Sequence, residues 1–163
     1  MSGPKNEEKE ELVARLMECK AKSGKTFDQI AKECKLTNAY TAQLFFNQAK
    51  LHPETEKRLV QAVPSLGSPK NHDILEAMRK PPFRGFDDGV LLQEPMVYRV
   101  YEAVMQYGEA IKEIINEQHG DGVMSAIDFV CKVEKKTGKQ GEPRVVLTFD
   151  GKFLPHVEQT VDE

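Results

Sequence analysis

Apolar residues along the chain recur with two different periods, and the change from one to the other divides the sequence. From Leu12 the positions Leu12, Val13, Leu16 and Met17 follow helical spacing, and the pattern stops near Ser23-Gly24. Residues 1 to 10 read as a frayed, charged lead-in. Phe27 to Cys34 fits a second helix with Thr26 as its N-cap, and after the turn KLTN a third fits Ala39 to Gln48. Pro53 stands where a first helical residue belongs and opens PETEKRLVQAV as a fourth, while NHDILEAM fits a short fifth. Prolines 64, 69, 81 and 82 and several glycines then interrupt residues 64 to 95. Within that region RKPPFRGFDDG is the expected linker, because Pro-Pro and Asp-Gly both resist continuous helix. The expected division is an N-terminal helical bundle over 1–85 and a C-terminal domain over 86–163.

The second half opens with one long helix. Pro95 fits its first position, Gly120 fits the residue just past its end, and the 24 residues between them would span about 36 Å. In AIDFVCKVE the period changes to two: Ile127, Phe129, Cys131 and Val133 alternate with mostly polar neighbours, as in a strand with one buried face. The loop KKTGKQGEP returns the chain to RVVLTF, a second alternating strand. Asp150-Gly151 is a tight-turn dipeptide, after which KFL would add a short third strand. The fold class is therefore α+β: an all-α N-terminal bundle with a helix-turn-helix shape, then a long helix and antiparallel strands. A lone helix and a small hairpin make a poor core of their own, so this half is expected to complete its core with another chain.

Charge and cysteine content narrow the setting. The formal net charge is −3, which advertises neither a nucleic-acid nor a membrane surface. No apolar run approaches a membrane span, and the polar start MSGPKNEEKEEL has no apolar segment of a secretory signal. Cys19, Cys34 and Cys131 are odd in number and lack CxxC spacing, as expected of reduced thiols in a cytoplasmic protein.

Candidate chemistry comes from few places. TFDQIAKECKLTNAYTAQLFFNQ has the layout of a DNA-binding helix-turn-helix, and a regulator with a C-terminal dimerisation module is the alternative reading of the whole chain. A recognition helix must present polar or basic groups to DNA, yet AYTAQLFFNQ carries no charge, and residues 11 to 63 hold nine Lys/Arg against six Asp/Glu. A helical bundle with a borrowed shape is the simpler reading. His52, His72, His119 and His156 are far apart and form no metal-ligand motif; His119 suits the negative end of its helix. No cysteine has a nucleophile motif around it, and there is no Gly-rich phosphate loop.

Arg99 and Glu102, in YRVYEAVMQYG, remain. On a helical wheel Val97, Val100, Val104, Ile111 and Ile115 share one face, and Arg99, Glu102, Gln106 and Glu113 the opposite one. Residues three apart touch, so periodicity alone reads the pair as a weak exposed salt bridge. Two details count against that reading. The base precedes the acid near the positive end of the helix, the less favourable order, and Tyr98 and Met105 flank the polar stripe as if something covered it. A covered arginine would need a partner and could bind a small anion.

The run EPMVYRVYEAVMQYGEAIKEIINEQHGDGVMSAIDF closely resembles the C-terminal half of the cyanase family, also called cyanate hydratase or cyanate lyase. The family's Tyr-Arg-x-Tyr-Glu core and Gly-Asp-Gly-x-x-Ser-Ala-Ile segment appear here as YRVYE (98–102) and GDGVMSAI (120–127). PPFRG and DGKFLP match in kind and order, and the resemblance extends more loosely through the helical half. It implies an N-terminal domain shaped like a DNA-binding bundle but not used as one. It also implies a C-terminal domain whose strands interlace in a dimer, five such dimers in a homodecamer, and active sites between subunits. The catalytic Arg, Glu and Ser of the family fall on Arg99, Glu102 and Ser125. The implied reaction is decomposition of cyanate with bicarbonate as co-substrate, needing no metal or organic cofactor and no nucleic acid or membrane partner. Arg99 would hold the two small anions together with its two-pronged guanidinium. Ser125 would donate a hydrogen bond to one of them, since no motif supplies the base a serine nucleophile needs. Glu102 would orient Arg99 or take part in proton transfer.

Overall fold

The computed structural model describes residues 4–161. It is mixed α and β: a set of helices, one long helix, and then a two-stranded antiparallel hairpin. The chain divides into two compact units, one holding everything up to Gly85 together with Val130–Phe149, the other holding Phe86–Phe129 and the chain from Asp150 on. Among the described residues no helix is long and apolar enough to cross a membrane.

In the first unit the helices are α1 (Pro4–Ser23), α2 (Phe27–Cys34), α3 (Asn38–Phe45), α4 (Pro53–Ala62) and α5 (His72–Arg79), with two 3₁₀ turns at Pro64–Gly67 and Pro69–Asn71. Helix α1 begins earlier than its apolar pattern: the expected lead-in is helical from Pro4 onward, and residues 1–3 lie outside the described residues. Pro4 suits a first helical position, and the Glu- and Lys-rich run that follows consists of good helix formers with acid at the positive end. Thr26 caps α2 reciprocally: its Oγ1 accepts from the Gln29 amide at 3.2 Å and its own amide donates to the Gln29 carboxamide at 2.8 Å. Helix α3 stops three residues short of the expected Gln48. Asn47 turns left-handed at φ 49° and its amide reaches back to Leu44, which lets Ala49 and Leu51 point into the core.

That core is the only one among the described residues. Every buried apolar side chain lies between Leu16 and Met78, with Phe45, Ile30, Leu59 and Ile74 wholly enclosed. Phe27 meets Phe45 edge-on at 5.6 Å, and Lys20 lies over Phe27 at 4.5 Å. Two bidentate ion pairs clamp the outside: Arg15 on α1 grips Asp73 on α5, and Arg79 on α5 grips Glu56 on α4.

The first unit also includes the far part of the hairpin, strands β1 (Gly122–Thr137) and β2 (Pro143–Pro155). At the start of α3 the Asn38 carboxamide imitates a neighbouring strand. Its Nδ2 donates to the Val133 carbonyl at 2.7 Å, and its Oδ1 accepts from the Val133 amide at 3.1 Å. Asp28 holds the same Nδ2 at 2.7 Å. One polar side chain thus closes part of an otherwise open strand edge.

The second unit contains a four-residue helix α6 (Asp88–Leu91), capped by Asp87, and the long helix α7 (Pro95–His119), with Pro95 first and Gly120 at φ 91° just beyond its end, as the sequence predicts. The short helix starts in the last two residues of the expected linker, where Asp87 accepts from the Val90 amide at 3.0 Å. The base of the hairpin docks on the end of α7: Lys112 donates to the Gly122 carbonyl at 3.1 Å, and His119 stacks on Phe153 at 5.2 Å rather than merely ending the helix.

Two strand expectations are corrected. Asp150-Gly151 makes no turn and KFL no third strand, because β2 runs unbroken from Pro143 to Pro155. Gly151 serves a close backbone approach instead: a Cβ there would overlap the Ser125 carbonyl oxygen and come within 2.5 Å of Met124 Cγ. The alternating residues of β1 have no buried face within this chain either. Ile127 is 97% exposed, Val133 is exposed and Cys131 half-buried.

Two outcomes follow for the first unit. The Arg15–Asp73 and Arg79–Glu56 pairs hold both carboxyls below their ordinary values through hydrogen bonding to arginine. Carboxyls depressed in the folded state stabilise it above the unfolded carboxylate range and lose that contribution as pH falls through the folded values. The melting temperature should therefore drop below about pH 4, and Arg79→Ala should weaken that acid sensitivity. Asn38→Ala should lower stability by roughly 1–2 kcal/mol, read by urea unfolding; an unchanged midpoint would show that the Val133 edge needs no closure.

Candidate active site

Arg99 is the fifth residue of α7, whose first turn is fixed by Pro95 and by the Glu94 carboxylate accepting from the Val97 amide at 3.0 Å. One helical turn of three residues brings Glu102 beside it, and Arg99 Nη1 donates to Glu102 Oε2 at 2.5 Å. The pair expected from spacing is therefore formed. It is also open to water in the single chain, with the Arg99 side chain 75% and the Glu102 side chain 43% exposed. The hydrogen bond to Glu102 raises the guanidinium above its ordinary value, so Arg99 is a permanent cation. Glu102 occupies one nitrogen of the fork, leaving the remaining N–H groups to meet an anion. Tyr98 and Tyr101 lie alongside with ring centres 6.0 Å apart, both exposed.

Ser125 is built differently. It and Gly122 are the two buried residues among those described in the second unit. Strand β1 has 16 residues and β2 has 13, although both ends of the hairpin are matched, so β1 carries surplus residues. The surplus fits a bulge at Ser125–Asp128, where Ile127 is thrown out into solvent and two successive amides are held by a side chain. Ser125 Oγ satisfies both, accepting from Ile127 N at 3.1 Å and from Asp128 N at 3.0 Å. With its oxygen occupied by two donors, the hydroxyl has its proton left to give. Geometry therefore favours a hydrogen-bond donor at Ser125 over a nucleophile.

The structure brings Arg99 and Glu102 together, and among the described residues neither bonds to Ser125. None of the three lines the hollow at the hairpin loop around Lys136, Glu142 and Arg144, or the hollows beside Leu36. In one chain Arg99 and Glu102 are thus oriented but open to water, while Ser125 is buried in the hairpin. The other candidate chemistries gain little. Among the described residues no three His, Cys, Asp or Glu side chains gather where they could share an ion. Burial pushes the thiols of Cys34 and Cys131 up, away from the reactive thiolate. At the start of α3, where a recognition helix would meet DNA, Asn38 is already bound to Asp28 and Val133. Two features escaped the sequence reading: the bulge at Ser125 and the glycine facing it. An isolated glycine within a strand pattern is the signal that could have marked them.

Known proteins agree with the motifs. Residues 89–158 match the family described as the cyanate lyase C-terminal domain. A cyanate hydratase of Arabidopsis thaliana is 49% identical over 94% of this chain and 89% of its own length. One from Phaeodactylum tricornutum is 52% identical over 93% of this chain and 76% of its own length. Among solved structures, the crystal structure of cyanase from T. urticae superimposes with a TM-score of 0.73 at 28% identity, covering 91% of this chain and 99% of that one. Relatives near half identity across nearly the full sequence, together with that fold, place the chain in the cyanate hydratase (cyanate lyase) family.

Proposed function

We infer that this chain is a cyanate hydratase, a lyase that breaks down cyanate with bicarbonate as co-substrate. The observation that carries this reading is near-50% identity to two cyanate hydratases over almost the whole chain, the YRVYE and GDGVMSAI segments included. Bicarbonate adds through oxygen to the cyanate carbon. The adduct takes up a proton and splits into carbon dioxide and carbamate, and carbamate takes up a second proton to leave as ammonia and another carbon dioxide. No metal or organic cofactor enters that sequence of steps.

The chemical demand is to hold two anions in contact, and Arg99 meets it with a fixed positive charge and a planar fork. Ser125 orients one of them through its remaining hydroxyl proton. Glu102 fixes the guanidinium, and its carboxylate is the group beside Arg99 that would pass a proton as the adduct breaks up. The largely exposed state of Arg99 in one chain supports active sites closed by neighbouring subunits, and we assign the assembly as five dimers with strands interlaced within each. Three free thiols support a cytoplasmic location.

Purified protein should release ammonia from cyanate only when bicarbonate is supplied. Arg99→Ala and Ser125→Ala should each lower kcat/KM by about a hundredfold or more; full activity in either variant would remove that residue from the site. Dissociating the oligomer with mild denaturant, followed by light scattering and circular dichroism, should abolish turnover while helicity persists. A fully active monomer would refute the shared-site arrangement.

A further inference from the structure

We propose that Gly151 is a positioning residue for the reaction, setting the place of Ser125 through the backbone contact between the two strands. This rests on the reading of Ser125 as a substrate-binding donor. The hairpin base is drawn together at two glycines, one on each strand. A Cβ on Gly122 would overlap the Leu154 carbonyl oxygen, and a Cβ on Gly151 would overlap that of Ser125. Gly151 is not in the left-handed region that reserves a position for glycine, so conformational freedom is not what it supplies. Its contribution is the missing atom.

That atom would fall on the bulge itself. The three nearest neighbours of a Cβ at Gly151 are the Ser125 carbonyl, Met124 Cγ at 2.5 Å and Phe129 Cδ2 at 3.1 Å, which bracket Ser125–Asp128 on both sides. Met124 Cγ can swing away by rotation of its own side chain. The Ser125 carbonyl is main chain, and shifting it turns the peptide that leads to Ile127 and Asp128, whose amides Ser125 Oγ holds. A single methyl group at position 151 is therefore transmitted to the hydroxyl, although Gly151 has no side chain with which to touch a substrate.

Gly151→Ala tests the inference by kinetics and by hydrogen exchange. It should lower kcat/KM by about ten- to a hundredfold with the oligomer intact. In a Ser125→Ala background the same substitution should cost less than about threefold, because the group being positioned is gone. Exchange at the Ile127 and Asp128 amides should speed up in Gly151→Ala while that of α7 is unchanged. Should Gly151→Ala fail to fold, Met124→Ala removes one overlap, and the Ser125 carbonyl contact that remains must produce the same two effects in the double variant. An equal loss in both backgrounds would make Gly151 structural only, and unchanged kinetics and exchange would overturn the proposal outright. If the wild-type chain released no ammonia from cyanate, the catalytic reading would fall with the positioning role, while exchange would still report whether Gly151 fixes Ser125.

Discussion

The uneven distribution of apolar burial governs everything else in this protein. Helices α1 to α5 enclose all the buried apolar side chains, whereas α7 has none, although Val104, Met105, Tyr107, Ile111 and Ile114 each stand at least 48% exposed. A 25-residue helix carrying that much apolar surface cannot remain in water without cover. The hairpin supplies too little to cover it. Within the second unit the base of the hairpin meets α7 through Lys112 on the Gly122 carbonyl and His119 on Phe153. In the proposed assembly the missing apolar layer would come from further copies of the same helix and hairpin, a surface that matches in kind.

The same shortage explains the state of the Arg99–Glu102 pair. In the open chain water screens both charges, and a 2.5 Å contact does little beyond orienting two side chains. Enclosed by neighbouring subunits, the identical geometry would act in a medium of lower dielectric, where a fixed cation holds an anion far more strongly. In the proposed assembly binding strength and oligomerisation would be one event, since the surface that stabilises the oligomer would also dry the site. A carboxylate already paired to Arg99 has a further use there: it keeps the guanidinium from being buried unpartnered when no substrate is present.

What the sequence made legible follows from how local each cause is. Thr26, Pro53, Pro95 and Gly120 mark element ends because caps and fixed φ angles act within a few residues, and each sits where the pattern put it. The Arg99–Glu102 contact was legible for the same reason, as one turn of helix creates it. Ser125 was different: nothing in its spacing marks chemistry, and only likeness to a family singled it out. The continuous strand β2 was misread because Asp-Gly is a turn signal locally, whereas the requirement for glycine at 151 comes from the opposite strand. Likewise α3 ends at Phe45 because the core draws Ala49 and Leu51 inward, a tertiary demand that helix propensity does not contain.

The helix-turn-helix shape shows how a fold can keep its frame and change its use. The frame is maintained by interior features: the Thr26 capping box, the Phe27–Phe45 contact, and the burial of Thr41, Leu44 and Phe45 on α3. None of these depends on what the outer face does. On that face α3 offers no charge to a phosphate, and the Asn38 carboxamide, a group well suited to read a base edge, is spent on the main chain of Val133. A carboxamide reads a peptide unit as readily as an adenine, because both offer a donor and an acceptor side by side. The element that would grip DNA in a regulator here closes the edge of a strand, and that strand, eight residues earlier, carries Ser125.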